Sequence, residues 1–234
     1  MKTNLLIISL VLCALTQTNS LMAQSDNSID VDGIIIHIPD LNNREDQEKL
    51  KMRAKQCVRT MNSYVTSMTK KAERDGRGEV HPTLQERRDF RAAALTCFIN
   101  NGDSIIFDGV KTSPAMMEIS TKRGSTITYN HRTVKQYFTN LINLIKNGRY
   151  TDLSITSSDI PQMKCTNIQR VGNKYQCIVC FTQKFVGRRG EITVTNDNDV
   201  KCTTVWFVTE PDTGEIEARL GDTKVTETDG QTRQ

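Results

Sequence analysis

The sequence predicts an α+β fold in which three amphipathic helices pack on an antiparallel β-sheet. Apolar residues recur at helical spacing in three stretches before residue 147. From Tyr150 onward the period becomes that of strands separated by glycine-containing turns. There is no internal repeat and no low-complexity linker, so one domain is the simplest count.

The chain opens MKTNLLIISLVLCALTQTNSLMAQ, with one basic residue at Lys2, an apolar run from Leu5 to Thr16, and small or polar residues through Ala23. This is the layout of a secretory signal peptide, and its apolar run is too short to span a bilayer. Cys13 sits inside that run behind Leu-Val-Leu, without the small residue that a lipidation site needs. Residues 1–23 are therefore assigned to a signal peptide, 24–44 to an extended lead, 45–221 to one domain and 222–234 to a flexible polar tail. No second apolar run reaches membrane-spanning length, so the expectation is an exported protein: periplasmic, associated with the outer membrane, or extracellular.

The formal charge is +4, and loss of the leader removes only Lys2, leaving +3. So even a balance argues against nucleic acid as a partner. The basic clusters Lys70, Lys71, Arg74, Arg77 and Arg87, Arg88, Arg91 are interleaved with acids, as on a solvated helical face.

Each element follows from local pattern. DGIIIHIP (32–39) reads as a short strand closed by Pro39. From Glu45 to Lys71, residues Leu50, Ala54, Cys57, Val58, Met61, Val65 and Met68 form one helical stripe. Thr83 stands three before Glu86, the reciprocal arrangement that satisfies free amides at a helix start, and Phe90, Ala94, Cys97 and Phe98 give the second helix its inner face. SIIFDG and AMMEIST follow as short strands. Val134, Tyr137, Phe138, Leu141, Ile142 and Ile145 then mark a third helix, ended at Asn147-Gly148. Beyond it, turns are expected at Gly172-Asn173, Gly187 to Gly190 and Pro211 to Gly214.

Six cysteines remain after the leader, an even number that favours disulfides in an exported chain. Cys57 and Cys97 are equidistant from Arg77 in the loop between two antiparallel helices, which brings them to one level. A hairpin turning at Gly172-Asn173 opposes residues whose numbers sum to 345, which pairs Cys165 with Cys180. Cys177 and Cys202 are left for each other. CIVC (177–180) is the one stretch that looks like metal or redox chemistry, but it lies among β-formers. Residues i and i+3 on a strand point to opposite faces, and the motif lacks the helix N-terminus that activates a redox CxxC. No metal and no cofactor are expected: His37, His81 and His131 form no cluster, and TNDNDV (195–200) lacks the glycine and distal glutamate of a calcium loop.

The order helix, helix, short strands, helix, then long antiparallel strands, with a final hairpin VWFVTEPDTGEIEARL, resembles the nuclear transport factor 2-like (cystatin-like) superfamily over residues 45–220. The stretches VKQYFTNLINL, FTQKFVG and KCTTVWFV are also similar to uncharacterised exported bacterial proteins. The resemblance implies a cone: three helices packed on a strongly curved antiparallel sheet that curls around a pocket. It also implies that enzymes of the family, such as dehydratases and isomerases, place a His, Asp or Tyr in the cup. Tyr64, Tyr137, Asp103 and Asp108 are the pocket candidates here, and none stands in a catalytic constellation. Tyr64 and Tyr137 also fit as packing residues, and the two aspartates as turn residues beside Gly102 and Gly109. Fold alone does not fix activity.

The leading expectation is a non-enzymatic exported module of the bacterial cell envelope, binding a small ligand, a peptide or an envelope protein. The alternative is a small-molecule isomerase, dehydratase or hydrolase using an acid or Tyr in the cup. A third is self-association as a homodimer through a sheet face carrying Trp206 and Phe185.

Overall fold

The structure, a computed structural model, describes residues 28–31, 34–37, 41–104, 106–107, 110–172, 174–210 and 213–232. The expected leader and Asp108 lie outside them.

Where one N-terminal strand was expected, two pair: β1 (Ser28–Val31) runs antiparallel to β2 (Ile34–His37). Helix α1 (Arg44–Thr69) starts where the Asn43 side chain accepts from the Glu45 amide at 2.8 Å, and Glu45 and Asp46 sit in the first turn, the positive end of the helix dipole. Its buried stripe includes Leu50, Ala54, Val58, Met61, Val65 and Met68, as the spacing predicts. A small hairpin of β3 (Glu73–Arg74) and β4 (Val80–His81) leads to α2 (Leu84–Thr96), where both bonds of the Thr83/Glu86 capping box are made. After a 3-10 turn at Ile99–Gly102 come the pair β5 (Ile106–Phe107) and β6 (Val110–Lys111), then the hairpin of β7 (Met116–Arg123) and β8 (Thr126–Thr133). Thr133 and Gln136 form a second capping box, which starts α3 (Val134–Lys146).

The remaining strands are β9 (Asp152–Ser157), β10 (Lys164–Cys165), β11 (Gln169–Val171), β12 (Lys174–Arg189), β13 (Ile192–Thr209), β14 (Ile216–Thr228) and β15 (Gln231–Thr232). They build one large sheet in the order β10-β12-β13-β14-β7-β8, with β9 and β11 also on β12 and β15 on β14. All contacts are antiparallel except β14 with β7, which meet in parallel at Thr223 and Met117. Register shifts interrupt the ladder beside Gly187, at Val200/Lys201 and between Thr203 and Val205. An extra residue at such a point bends a strand and increases its twist, which curls the sheet. The three α-helices among the described residues cover its inner face. Their apolar stripes meet Cys177, Val179 and Phe181 of β12 and Val205 and Phe207 of β13. The α+β class with a curled, mostly antiparallel sheet is thus the fold observed.

Three expectations change. The stretch from Asp222 is not a tail, because β14 continues to Thr228 and turns through Asp229 (φ 49) and Gly230 (φ 78) into β15. It was misread for want of an apolar face, yet its inward residues Thr223, Val225 and Thr228 are buried. The threonine hydroxyls are answered inside, Thr223 by Thr203 at 2.9 Å and Thr228 by Asp199 at 2.9 Å.

The cysteine pairing changes too. The sum of 345 holds next to the turn, where Val171 opposes Lys174, but before it the register slips by one and Cys165 opposes Val179. A slip of one residue moves a side chain to the other face. Cys180 is instead directly opposite Cys202 across β12 and β13, and those two form the disulfide. Cys165 and Cys177, neither of them in a disulfide, hydrogen-bond to each other.

Finally, Trp206 and Phe185 do not share a sheet face. The inward positions of β12 and β13 are odd-numbered, so Phe185 turns inward to stack edge-on with Tyr150, and Trp206 turns outward beneath Lys174.

Candidate functional site

Beside its core stripe, α1 carries a second row at the same spacing: Arg53, Gln56, Cys57, Thr60 and Tyr64. This row forms one wall of a cleft of about 370 Å³. The end of α2, at Thr96 and Cys97, closes one side, and residues 215–219 at the start of β14 form the opposite wall. Several bonds hold these parts together. The Leu220 amide donates to the Cys97 carbonyl at 2.8 Å, tying the end of α2 to the sheet. Arg53 donates to the Ile216 carbonyl. Arg219 donates to the Thr96 carbonyl at 3.3 Å and pairs with Glu210 at 2.8 Å and with Glu217. Half-buried Ile216 and Ala218 supply an apolar patch among these polar groups.

Cys57 and Cys97 line the same cleft as free thiols bonded to each other. The Cys57 sulfur also lies 3.7 Å from the Cys97 carbonyl. The hydrogen bond from Cys57, aided by the Arg219 charge, holds the Cys97 thiol below its ordinary pKa. That same bond, together with burial, pushes the Cys57 thiol up. Burial also raises the Glu217 carboxyl, with neighbouring Glu210 adding to the effect and Arg219 opposing it.

A second group of polar side chains lies inside the curled sheet, where the inward alternation of β13 places Asp199, Lys201 and Thr203 beneath the helices. Lys201 Nζ donates to Gln183 Oε1 at 2.7 Å and sits 5.5 Å from the centre of the Tyr137 ring. Asp199 Oδ1 accepts from Ser120 at 2.7 Å and from Thr228. Glu118 accepts the Val225 amide at 2.8 Å and lies 3.1 Å from His131 Nε2, which reaches solvent. Gln183 Nε2 donates to Asn62 Oδ1 at 3.3 Å, and the Asn62 amide nitrogen is buried without a hydrogen-bond partner. Burial lowers Lys201 to about 8 against the opposing pull of Asp199 and Glu118, and it raises Tyr137 well above the ordinary phenol range.

Of the pocket candidates named from sequence, Tyr64 alone lines the cleft. Tyr137 is buried over Lys201, and Asp103 is an exposed residue paired with Lys135. The interior ion group was missed. Its signal was TNDNDVK, which is not a turn but part of β13, with Asp199 and Lys201 two apart and so on one face. The sequence also gave no metal cluster, whereas the β3–β4 hairpin gathers Asp75, Glu79 and His81 with one ligand atom of each within 4.8 Å of the others. There His81 Nδ1 is held by Glu86 at 3.0 Å, and all three side chains meet solvent as an ion-pair cluster.

No protein-family model matches the chain, and a comparison with curated proteins finds no relative. Among solved structures, the chain is similar to a crystal structure from Novosphingobium aromaticivorans DSM 12444 named "Putative Scytalone Dehydratase", at 11% identity and a TM-score of 0.39, over 81% of this chain and 93% of that one. No residue role is carried over from it.

Proposed function

We propose that the protein is an exported binding module whose cleft between α1, the end of α2 and β14 holds a small ligand or a peptide end carrying a carboxylate. The observation that carries this reading is the convergence, in a space of about 370 Å³, of Arg53, Tyr64, Thr60 and Thr96 with the apolar wall of Ile216 and Ala218. That volume falls within the range of small-molecule sites, and an apolar wall with a few convergent polar groups is their usual lining. Arg219 is engaged by two glutamates, whereas Arg53 has five donors and spends one on the Ile216 carbonyl, so Arg53 is the group to meet an anion. The Cys180–Cys202 disulfide is in keeping with an oxidising compartment, and no helix among the described residues is long and apolar enough to cross a membrane.

The test is native mass spectrometry of the full chain recovered from the compartment to which it is exported, beside Arg53→Ala and Tyr64→Ala. The expected result is a small molecule retained by the native chain and lost from both variants. A bare chain in every case, with no ligand acquired from extracts of that compartment, overturns the reading.

A second reading, a proton-transfer enzyme of the dehydratase or isomerase kind, is favoured by one observation. Lys201 is a buried amine with a lowered pKa, and Gln183 links it to Asn62, which has a donor to spare. Turnover abolished by Lys201→Met and retained in Arg53→Ala would move the function to the interior.

A further inference from the structure

We infer that Cys57 and Cys97 are a redox-active dithiol that exchanges with low-molecular-weight disulfides entering the cleft. Three observations converge on this. The two thiols come from separate helical elements, 40 residues apart in sequence, and the Cys57 sulfur lies 3.7 Å from the Cys97 carbonyl. Both line a cleft large enough for a small disulfide. A fixed cation stands beside them: Arg219, held in place by Thr96, Glu210 and Glu217, lends positive charge to the pair. Cys165 and Cys177 form an internal comparison: they too are free thiols, but neither lines the cleft.

The chemistry balances as ordinary thiol–disulfide exchange. One of the two thiols loses its proton, and its thiolate attacks one sulfur of the small disulfide. The S–S bond of the reagent breaks, the first small thiolate leaves, and a mixed disulfide remains on that cysteine. The second protein thiol then gives up its proton to the departing thiolate and attacks the first protein sulfur, expelling the second small thiolate. Two protein thiols are oxidised and one small disulfide is reduced to two thiols. The product is a Cys57–Cys97 bond joining α1 to the end of α2 along one wall of the cleft.

The test uses the full chain with the Cys180–Cys202 bond intact and Cys57, Cys97, Cys165 and Cys177 reduced. Oxidised glutathione is added, samples are quenched with an alkylating reagent over time, and peptides are mapped by mass. In the native chain, Cys57 and Cys97 should lose alkylation together and appear joined at least tenfold faster than Cys165 and Cys177. In Cys57→Ser and in Cys97→Ser the mixed disulfide should be trapped on the remaining cleft thiol. Equal rates for both pairs in the native chain overturn the inference without any variant. Failure of either single variant to hold a glutathione adduct on its remaining cleft thiol overturns the inference as well. The readout needs no ligand, so an empty cleft that still exchanges defeats the binding reading and leaves the dithiol standing.

Discussion

Lys201 is the residue at which burial and charge conflict most openly. Its ammonium lies under α3, facing the Tyr137 ring, Gln183 from β12, Asp199 from its own strand and Glu118 from β7, and its pKa falls from 10.5 to about 8 because burial outweighs the two carboxylates. Between pH 8 and 10.5 the folded chain has released this proton and the unfolded chain still holds it, so stability rises with pH in that interval. Tyr137 acts in the opposite sense: its raised pKa keeps the folded form protonated where the unfolded form ionises, above its ordinary value of 10.0, and stability is lost there. The gain is therefore confined to pH 8 to 10. Denaturation of the native chain should show stability rising by roughly 2 kcal/mol over that window relative to Lys201→Met. Parallel profiles for the two proteins would mean that Lys201 carries no depressed pKa. Gly102 poses a different residue-scale problem, since its φ is +78 and a Cβ there would fall 2.3 Å from Val134 Cγ2, at the start of α3. Gly148 has a similar φ of +64 with nothing within 4 Å. The left-handed backbone alone costs an L-residue roughly 1 to 2 kcal/mol, so Gly148→Ala should lose about that much. Gly102→Ala should lose roughly 2 kcal/mol more, from overpacking. Equal losses in urea denaturation would show that Val134 can move aside.

Helix α2 depends on its first turn, because its buried residues are few: Arg87, Ala94 and Leu95, with Cys97 and Phe98 just beyond its end. Thr83 Oγ1 accepts from the Glu86 amide at 3.1 Å, and Glu86 returns a carboxylate oxygen to the Thr83 amide at 2.6 Å and another bond to His81. Thr83→Ala should lower stability by about 1 kcal/mol, seen as a lower urea midpoint with an unchanged slope. No shift would mean that Glu86 and His81 hold the turn without the hydroxyl. Such caps, like the 3-4-7 stripe of α1, were legible in the sequence because both partners lie within four residues of each other. Strand register was not. The pairing of Cys180 with Cys202 depends on the turn at Gly190 and on a bulge beside Gly187, and the offset of Cys165 depends on what happens between residues 165 and 169, where Ile168 turns inward. A sequence shows which residues favour strands, but not where an extra residue will be absorbed. β14 was hidden for a related reason. Its buried face past Leu220 is largely threonine, and that is an inward pattern only because Thr203 and Asp199 wait opposite.

At the scale of the molecule, the cleft and the interior ion group both arise from elements distant in sequence. Arg53 and Ile216 are 163 residues apart, and Asn62 and Gln183 are 121 apart. For that reason Tyr64 was named as a pocket candidate only through the family resemblance, without its partners Arg53 and Ile216, and Lys201 was not recognised at all. The helices supply local order, whereas the sheet requires β7 and β14 to meet across 106 residues, at Met116 and Asp222 among other contacts. The Cys180–Cys202 bond acts on this long-range part of the fold. It links the two longest strands, which carry most of the inner face, and closes a loop with a sequence separation of 22. In the chain-entropy account, a loop of that size restricts the unfolded chain by about 3 kcal/mol. Cys180→Ala with Cys202→Ala should therefore lower the stability of the whole domain by about that amount in guanidinium denaturation. The slope should be equal or slightly steeper, since an uncrosslinked unfolded chain exposes more surface. Because Cys180 and Cys202 are half-buried on the outer side of the sheet, the loss should come from the unfolded state and leave the cleft intact. If the double variant also lost a ligand held by Arg53 and Tyr64, the disulfide would be setting the curvature that places β14 against α1, and the entropic account would be the wrong one.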